Sequence, residues 1–282
     1  MRRCAPRLLA LAVAALLVLA GCGRGGALPP DEVGFWFFDV GQADCTLIRT
    51  EDATVLIDTG NIPEDGGSSL VRMLRDAGVD KIDLLVLTHP HADHIGGVAT
   101  VFESFIVRAC LFPALYADTD LFADTLRRID ESGCRVHKAE RGAMLTVGSL
   151  AFGVLAPPQG VAGDQNAASV VLRVSFGDTV ALFMGDATKE TEAGLITLFG
   201  NALSADILKV SHHGSGDSST PALLSAVSPS CAVISCGHKN VYGFPDPDVL
   251  RRLEAVDATV YRTDTDGTVI LTADRTGNVT KK

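Results

Sequence analysis

The sequence predicts an α/β fold in a single domain, on three observations. Short apolar runs that are typical of strands alternate with amphipathic helical patterns along most of the chain. Of the 282 residues, 47% are hydrophobic and 21% are charged, which is a globular composition with enough apolar side chains for a large core. No stretch rich in proline and glycine divides the chain after residue 32, so a second domain is not indicated.

The predicted elements follow one another in a regular order. The first helix is predicted at residues 68–79, with serine at its start and Gly78 near its end. Further helices are predicted at residues 118–133, 188–200 and about 246–256. The predicted strands are the apolar runs at residues 33–40, 45–50, 54–60, 82–88, 143–148, 150–156, 169–177, 179–186, 205–214, 231–237, 258–264 and 267–273.

Acidic and imidazole side chains follow or end several of these strands. They are Asp39, Asp58, His89 and Asp186. A rigid scaffold presents its functional groups from such positions, so we expect the strand ends to meet and to build a site.

The first residues have the pattern of a secretory signal. Three arginines precede a short apolar run, which ends in the sequence LAGC at residues 19–22. This ending resembles a bacterial lipobox, which implies cleavage before Cys22 and a lipid on that cysteine. The alternative is an ordinary secretory signal in which the cysteine occurs by chance. The expected division is a signal peptide at 1–21, a tether at 22–32 and a folded domain at 33–282, held outside the cytoplasm on the bacterial cell membrane.

Charge and cysteine content limit the possible functions. The net charge falls from −10 to −13 when the three arginines of residues 1–21 are removed. Such an acidic domain cannot neutralise many phosphates at once, which argues against a surface that binds a long stretch of nucleic acid. The seven cysteines include no CxxC pair, so they favour buried thiols over a readable disulfide framework.

The segment THPHADHIGG, at residues 88–97, is the strongest functional signal in the chain. It follows an apolar strand and contains His89, His91, Asp93 and His94. Two histidines two residues apart point to the same side of an extended segment. If a helix begins near Asp93, the second pair faces back toward the strand end. Imidazole with carboxylate suits Zn, Mn or Fe, and the absence of a nearby cysteine in the sequence argues against a structural zinc finger.

This segment resembles the metal-binding motif of the metallo-β-lactamase superfamily. The order of LIDTG, THPHADHIGG, FMGDA and VSHHGS along the chain is also similar to that family. The resemblance implies an αββα sandwich that holds two divalent metal ions, Zn or Mn, at one edge. It implies His89 and His91 at the first metal, Asp93 and His94 at the second, and Asp186 between them. Asp93 or Asp186 would then orient the attacking water.

A narrower resemblance is carried by five further segments. FFDVGQADCTLI, NAASVVLRV, LKVSHHGS, NVYGFP and VYRTDTDG look like the metallo-β-lactamase-like domain of ComEC-type competence proteins, which act in DNA uptake. Surface phosphorylcholine esterases that act on teichoic acid have a similar pattern. Membership of this branch implies phosphodiester hydrolysis, with DNA as the best-known class of substrate.

The chain departs from these families at two positions. The usual third histidine of the first metal has no counterpart, because His137 comes too early, and Asn166 is a candidate in the corresponding segment. The branch usually reads YGHP, whereas this chain has Phe244 in YGFP. A phenylalanine can neither ligate a metal nor transfer a proton. His238 is a possible substitute, although a solvated loop histidine is the alternative.

Several other residues are candidates for the site. On an extended strand, the adjacent His212 and His213 would point opposite ways, so one is expected to ligate the second metal or contact phosphate. Lys209 has the parity of His213 and would offer positive charge to a phosphate, or else lie on the surface. The expected supports of the ligands are Asp39, Gln42, Asp44 and Asp58, through hydrogen bonds or through turn chemistry.

Together these features predict an exported, lipid-anchored phosphodiester hydrolase that acts on extracellular DNA or oligonucleotides. It is expected to bind only a short stretch of the substrate. A phosphodiesterase of envelope polymers such as teichoic acid is the second interpretation. A non-catalytic surface module that kept the fold is the third, and Phe244 is its only support.

Overall fold

The computed structural model describes residues 28–158 and 164–282. The predicted signal peptide, Cys22 and most of the predicted tether lie outside the described residues. Regular structure begins at Glu32 and ends at Lys281, while the division of the chain at residues 21 and 32 stays a prediction. Within the described ranges, no helix has both the length and the hydrophobicity needed to cross a bilayer.

Strands make up most of the regular structure. In the described part of the chain they are β1 Glu32–Phe37, β2 Thr46–Arg49, β3 Thr54–Ile57, β4 Lys81–Ile82, β5 Leu84–Val86, β6 Ile106–Val107, β7 Ala109–Phe112, β8 Arg135–Lys138, β9 Met144–Val147, β10 Leu150–Ala156, β11 Val171–Phe176, β12 Thr179–Phe183, β13 Ile207–Lys209, β14 Cys231–Ile234, β15 Thr259–Arg262, β16 Val269–Asp274 and β17 Val279–Lys281.

Helices lie between these strands. They are α1 Ser68–Asp76, α2 Ala92–Ile95, α3 Val98–Ser104, α4 Asp120–Ser132, α5 Lys189–Phe199, α6 Pro221–Val227, α7 Pro247–Glu254 and α8 Thr263–Asp266, with 3-10 turns at Gly200–Leu203 and Ser211–Gly214.

Two mixed sheets contain nearly all of the described strands. The larger has the order β17-β16-β1-β2-β3-β5-β7-β8, and the smaller has the order β15-β14-β13-β12-β11-β10-β9. In the larger sheet, β5 is parallel to both β3 and β7. In the smaller sheet, β12, β13, β14 and β15 are all parallel. Parallel neighbours end at the same edge, so the loops that follow them are brought together.

The two sheets face each other across the main hydrophobic core. Phe35 and Phe37 of β1 pack against Phe183 of β12, with ring centroids 6.5 and 6.3 Å apart. All three side chains are buried. Burial of each such side chain contributes roughly 1.5–3 kcal/mol, so contacts between the sheets are a major source of stability.

A layer of helices covers the outer face of each sheet. Leu74 of α1 and Ile129 of α4 belong to the core outside the larger sheet. Leu195 of α5 and Leu253 of α7 belong to the core outside the smaller sheet. The order helix, sheet, sheet, helix is the αββα sandwich, which confirms the predicted fold class.

The local predictions differ from the structure in identifiable ways. The strand predicted at residues 205–214 is too long, because β13 ends at Lys209 and residues 211–214 form a tight turn. The elements β7, β8, α3 and α6 were not predicted. Each has only four to seven residues, which is too few for a clear periodic pattern. The expected helix near Asp93 is confirmed, since α2 begins at Ala92.

Candidate metal centre

Asp58 connects the end of β3 to the histidine-rich segment that follows β5. Its Oδ1 accepts a hydrogen bond from the Thr88 backbone N–H at 2.8 Å, and its Oδ2 accepts one from Thr88 Oγ1 at 2.7 Å. The same Oδ2 lies 2.8 Å from Nδ1 of His94. Asp58 is buried, so this contact fixes the ring of His94 and leaves Nε2 free to act as a ligand.

His89 and His91 bring two imidazole rings together just after β5. His89 Nε2 lies 3.0 Å from His91 Nδ1 and 3.6 Å from Asp186 Oδ2. His89 is buried, whereas His91 is partly exposed. His89 Nε2 therefore lies between the His91 ring on one side and the Asp186 carboxylate on the other.

Asp186 lies at the centre of the histidine cluster, three residues after the end of β12. Its backbone N–H donates to Ser169 Oγ at 3.1 Å, and the residue is 2% exposed. One carboxylate oxygen is 3.4 Å from His94 Nε2, and the other is 3.6 Å from His89 Nε2. The two oxygens therefore face different histidines, so each could serve as a ligand on its own side of the cluster.

His212 and His213 both face Asp186, which corrects the expectation that they point opposite ways. That expectation assumed a strand, but their φ angles are 49° and 53° in the turn after β13. His213 Nδ1 donates to the Ser235 carbonyl at 3.0 Å, and its Nε2 lies 3.3 Å from Asp93 Oδ2. His212 Nε2 lies 3.7 Å from Asp186 Oδ2 and its side chain is 29% exposed.

The Lys209 side chain is buried and ion-paired. Its Nζ lies 2.8 Å from Asp44 Oδ2, and it also donates to the Val210 carbonyl at 3.1 Å. Asp44 Oδ1 in turn lies 3.5 Å from His213 Nδ1. The predicted contact of Lys209 with a phosphate does not fit this geometry, because its ammonium is already paired inside the protein. Lys209 instead holds Asp44 beside His213.

The remaining candidates lie around this cluster in different roles. Gln42 Oε1 accepts a hydrogen bond from the Gly237 backbone N–H at 2.9 Å, which joins two loops of the site. Asp39 Oδ1 accepts one from the Gly41 N–H at 3.3 Å, which is the turn role that was the alternative for this residue. Asn166 lies in the turn before β11, and its Oδ1 is buried without a hydrogen-bond partner among the described residues.

Three other positions that the sequence analysis considered lie outside the proposed ligand set. His137 is on β8, the edge strand of the larger sheet. His238 is exposed in the loop after β14. The Phe244 ring lies 5.9 Å from the His212 ring, so the position that departs from the YGHP pattern borders the cluster.

The charges within the cluster shift the pKa values of Asp186 and His213 in opposite directions. Burial by itself raises the pKa of the Asp186 carboxyl, but His94 and His213 outweigh it and hold this pKa well below its usual range. Burial by itself lowers the pKa of the His213 imidazole, but Asp186 and Asp44 outweigh it and raise this pKa to about 10. Metal ligation requires neutral imidazole, so cation binding displaces protons from this cluster.

The donor atoms fit divalent metal binding. His94 Nε2, His213 Nε2 and Asp186 Oδ1 are buried and have no hydrogen-bond partner among the described residues. Two sets of donor atoms each lie within 4.8 Å of one another: His89, His94 and Asp186, and Asp93, His94 and His213. Imidazole and carboxylate donors are suited to Zn or Mn. A third set, Asp44, Asp58 and His94, is already engaged with Lys209 and Thr88.

The protein combines a sandwich of two sheets with a cluster of histidines and aspartates at its edge, and this combination is typical of one class of protein. The Metallo-beta-lactamase superfamily matches residues 38–238. That match covers most of the chain, so the protein belongs to the metallo-β-lactamase superfamily.

Two competence proteins are among the sequence relatives of this chain. The chain is 30% identical over 247 residues to ComE operon protein 3 of Bacillus subtilis, covering 82% of this chain and 32% of that protein. It is 33% identical over 266 residues to the competence protein ComA of Neisseria gonorrhoeae, covering 93% of this chain and 36% of that protein. The predicted likeness to ComEC-type proteins is confirmed. The chain spans about a third of the length of these curated relatives.

Solved structures agree on the fold. The metallo-beta-lactamase fold protein YhfI from Bacillus subtilis has a TM-score of 0.57 and 14% sequence identity, covering 89% of this chain and 100% of YhfI. At this identity the similarity concerns the arrangement of sheets and helices alone.

Proposed function

We propose that the protein is an exported phosphodiesterase that uses two divalent cations, Zn or Mn. The observation that carries this proposal is the position of the buried Asp186 carboxylate, whose two oxygens face different histidines, His94 and His89. Superfamily membership supports metal-dependent hydrolysis. The likeness to two competence proteins supports a phosphodiester as the substrate.

The family resemblance divides the proposed ligands into two groups, and the contact of His213 with Asp93 adds His213 to the second. His89, His91 and Asp186 would hold the first cation, and Asp93, His94, Asp186 and His213 would hold the second. A pair of divalent cations supplies Lewis acidity at the phosphoryl oxygen and lowers the pKa of the attacking water. Asp93 is 31% exposed, whereas Asp186 is buried. Asp93 can therefore accept a hydrogen bond from a water that arrives from the solvent side.

DNA or short oligonucleotides are the proposed substrate. The net charge of −10 limits how many phosphates can be neutralised, so binding over a few nucleotides fits better than binding over a long duplex. The acidic composition also favours the second candidate, an envelope phosphodiester of the teichoic-acid type. Phe244, in place of the usual histidine, favours a non-catalytic surface module.

A screen of metals against substrates separates these candidates. We expect the metal-free protein to regain hydrolysis of single-stranded DNA with Zn or Mn, and to act weakly on long duplexes. Activity is expected to fall only shallowly with rising salt, because few phosphates are contacted. Failure to bind any divalent cation would favour the non-catalytic module, and cleavage of teichoic acid alone would favour the envelope enzyme.

The proposed location is tested at Cys22. We expect the wild-type protein in the membrane fraction and Cys22→Ala either in the soluble extracytoplasmic fraction or unprocessed. Cys134→Ala is a matched control, because this partly exposed cysteine belongs to the folded domain. A wild-type protein found wholly in the medium would contradict lipid anchoring.

A further inference from the structure

A loop at residues 237–245 presents two aromatic rings beside the candidate metal centre. The Phe244 ring lies 5.9 Å from the His212 ring, at 68° to it. The Tyr242 ring stacks on Phe244 with a centroid distance of 5.6 Å and only 20° between the planes. Tyr242 is 66% exposed and Val241 is 94% exposed. Phe244 is half-buried and Tyr242 covers one of its faces, but packing inside the protein does not account for a tyrosine ring that stays mostly exposed.

The loop is held in place by its own hydrogen bonds. Asn240 Nδ2 donates to the carbonyls of Gly237 and Phe244, at 3.0 and 2.6 Å, and its Oδ1 accepts from the Phe244 N–H at 3.0 Å. The Asp246 N–H donates to the Gly214 carbonyl at 2.8 Å. This last bond ties the loop to the turn that carries His212 and His213. The backbone of the loop is therefore fixed before a ligand binds, which reduces the entropy lost on binding.

The charge of the molecule indicates which ligand the rings suit. Phosphate neutralisation can supply little affinity in a chain with a net charge of −10, so stacking has to supply more of it. Base–aromatic stacking changes affinity by about 5- to 150-fold per base. A nucleotide joins a planar ring to a phosphodiester, which is the combination that this loop and the metal centre offer. Lys239 is also exposed on the loop, within the same run of nine residues.

We propose that Tyr242 and Phe244 form a stacking platform for a nucleobase of single-stranded nucleic acid next to the scissile phosphodiester. The platform deepens the proposed phosphodiesterase function and rests on it for the position of the phosphate. Stacking acts on the bound substrate rather than on the reacting atoms, so its loss raises KM more than it lowers kcat. Tyr242 is thus a substrate-positioning residue.

The test compares a single-stranded thymidine decamer with an abasic decamer of the same length, using the full metal-loaded chain. We expect the wild type to prefer the thymidine decamer through KM, and Tyr242→Ala to reduce that preference by about 5- to 150-fold. Tyr242→Phe should retain it, because the ring remains. Met144→Ala is the control, since Met144 is 71% exposed on the edge strand β9. An unchanged preference in Tyr242→Ala would overturn the platform.

A binding measurement separates this proposal from the proposed function. Stacking quenches the fluorescence of a decamer that contains 2-aminopurine, whether or not the decamer is cleaved. Quenching by the wild type that is lost in Tyr242→Ala supports the platform, even if no phosphodiester is hydrolysed. Absence of quenching overturns the platform, even if DNA is hydrolysed. Choline could instead compete with the decamer, and Tyr242→Ala could raise KM only for a choline phosphodiester. That result would overturn the platform and assign the rings to a quaternary amine.

Discussion

Asp186→Ala is expected to release at least one cation and to lower phosphodiesterase activity by several orders of magnitude. The carboxylate lies between His94 and His89, with one oxygen 3.4 Å from His94 Nε2 and the other 3.6 Å from His89 Nε2. Its removal takes one ligand from each of the two proposed cation sites and takes negative charge from between them. Metal content by atomic absorption and the hydrolysis rate on single-stranded DNA would be measured on the same preparations.

Three further variants make this result specific. His89→Ala should empty mainly the first proposed site, because the second proposed site keeps all of its ligands. Adding His94→Ala to Asp186→Ala should cost little more activity, since residues that act as a unit are not additive. Asp178→Ala is the matched control, because this exposed carboxylate precedes β12 at its other end. Near wild-type metal content and activity in Asp186→Ala would contradict the two-cation interpretation.

The second large effect is expected on stability at Lys209. Lys209→Met leaves the buried carboxylate of Asp44 without its partner at 2.8 Å. Breaking a buried ion pair on one side typically costs about 3–5 kcal/mol. We expect a loss of that size in the free energy of unfolding, measured by urea denaturation of the metal-free protein. The His213 side chain should also become more mobile, because Asp44, which Lys209 holds in place, lies 3.5 Å from its ring.

The double variant Asp44→Asn with Lys209→Met distinguishes the ion pair from simple loss of packing. It removes both charges, so we expect it to recover much of the stability that Lys209→Met loses. Lys189→Met provides the control, since Lys189 is exposed at the start of α5. If Lys209→Met unfolds at the wild-type urea concentration, the pair contributes nothing to the fold.

Sequence by itself determined the class of the fold and most of the ligand set. Alternating apolar runs predicted the strands because burial between two layers requires that pattern. Four of the candidate ligands lie within six consecutive residues, from His89 to His94, so their proximity required no knowledge of the fold. The role of Asp186 could be predicted from the sequence, because the residue follows a recognisable strand and the family resemblance assigns that position.

Tertiary structure alone decided the roles of residues outside that segment. The partner of Lys209 is Asp44, 165 residues away in the chain, and no local pattern links them. The orientation of His212 and His213 depends on two left-handed residues in succession, which strand parity does not predict. Tyr242 and Phe244 border the centre because hydrogen bonds of Asn240 and Asp246 fold their loop onto the histidine turn. Such contacts depend on where distant segments meet, and this is set by the packing of the two sheets rather than by any single stretch of sequence.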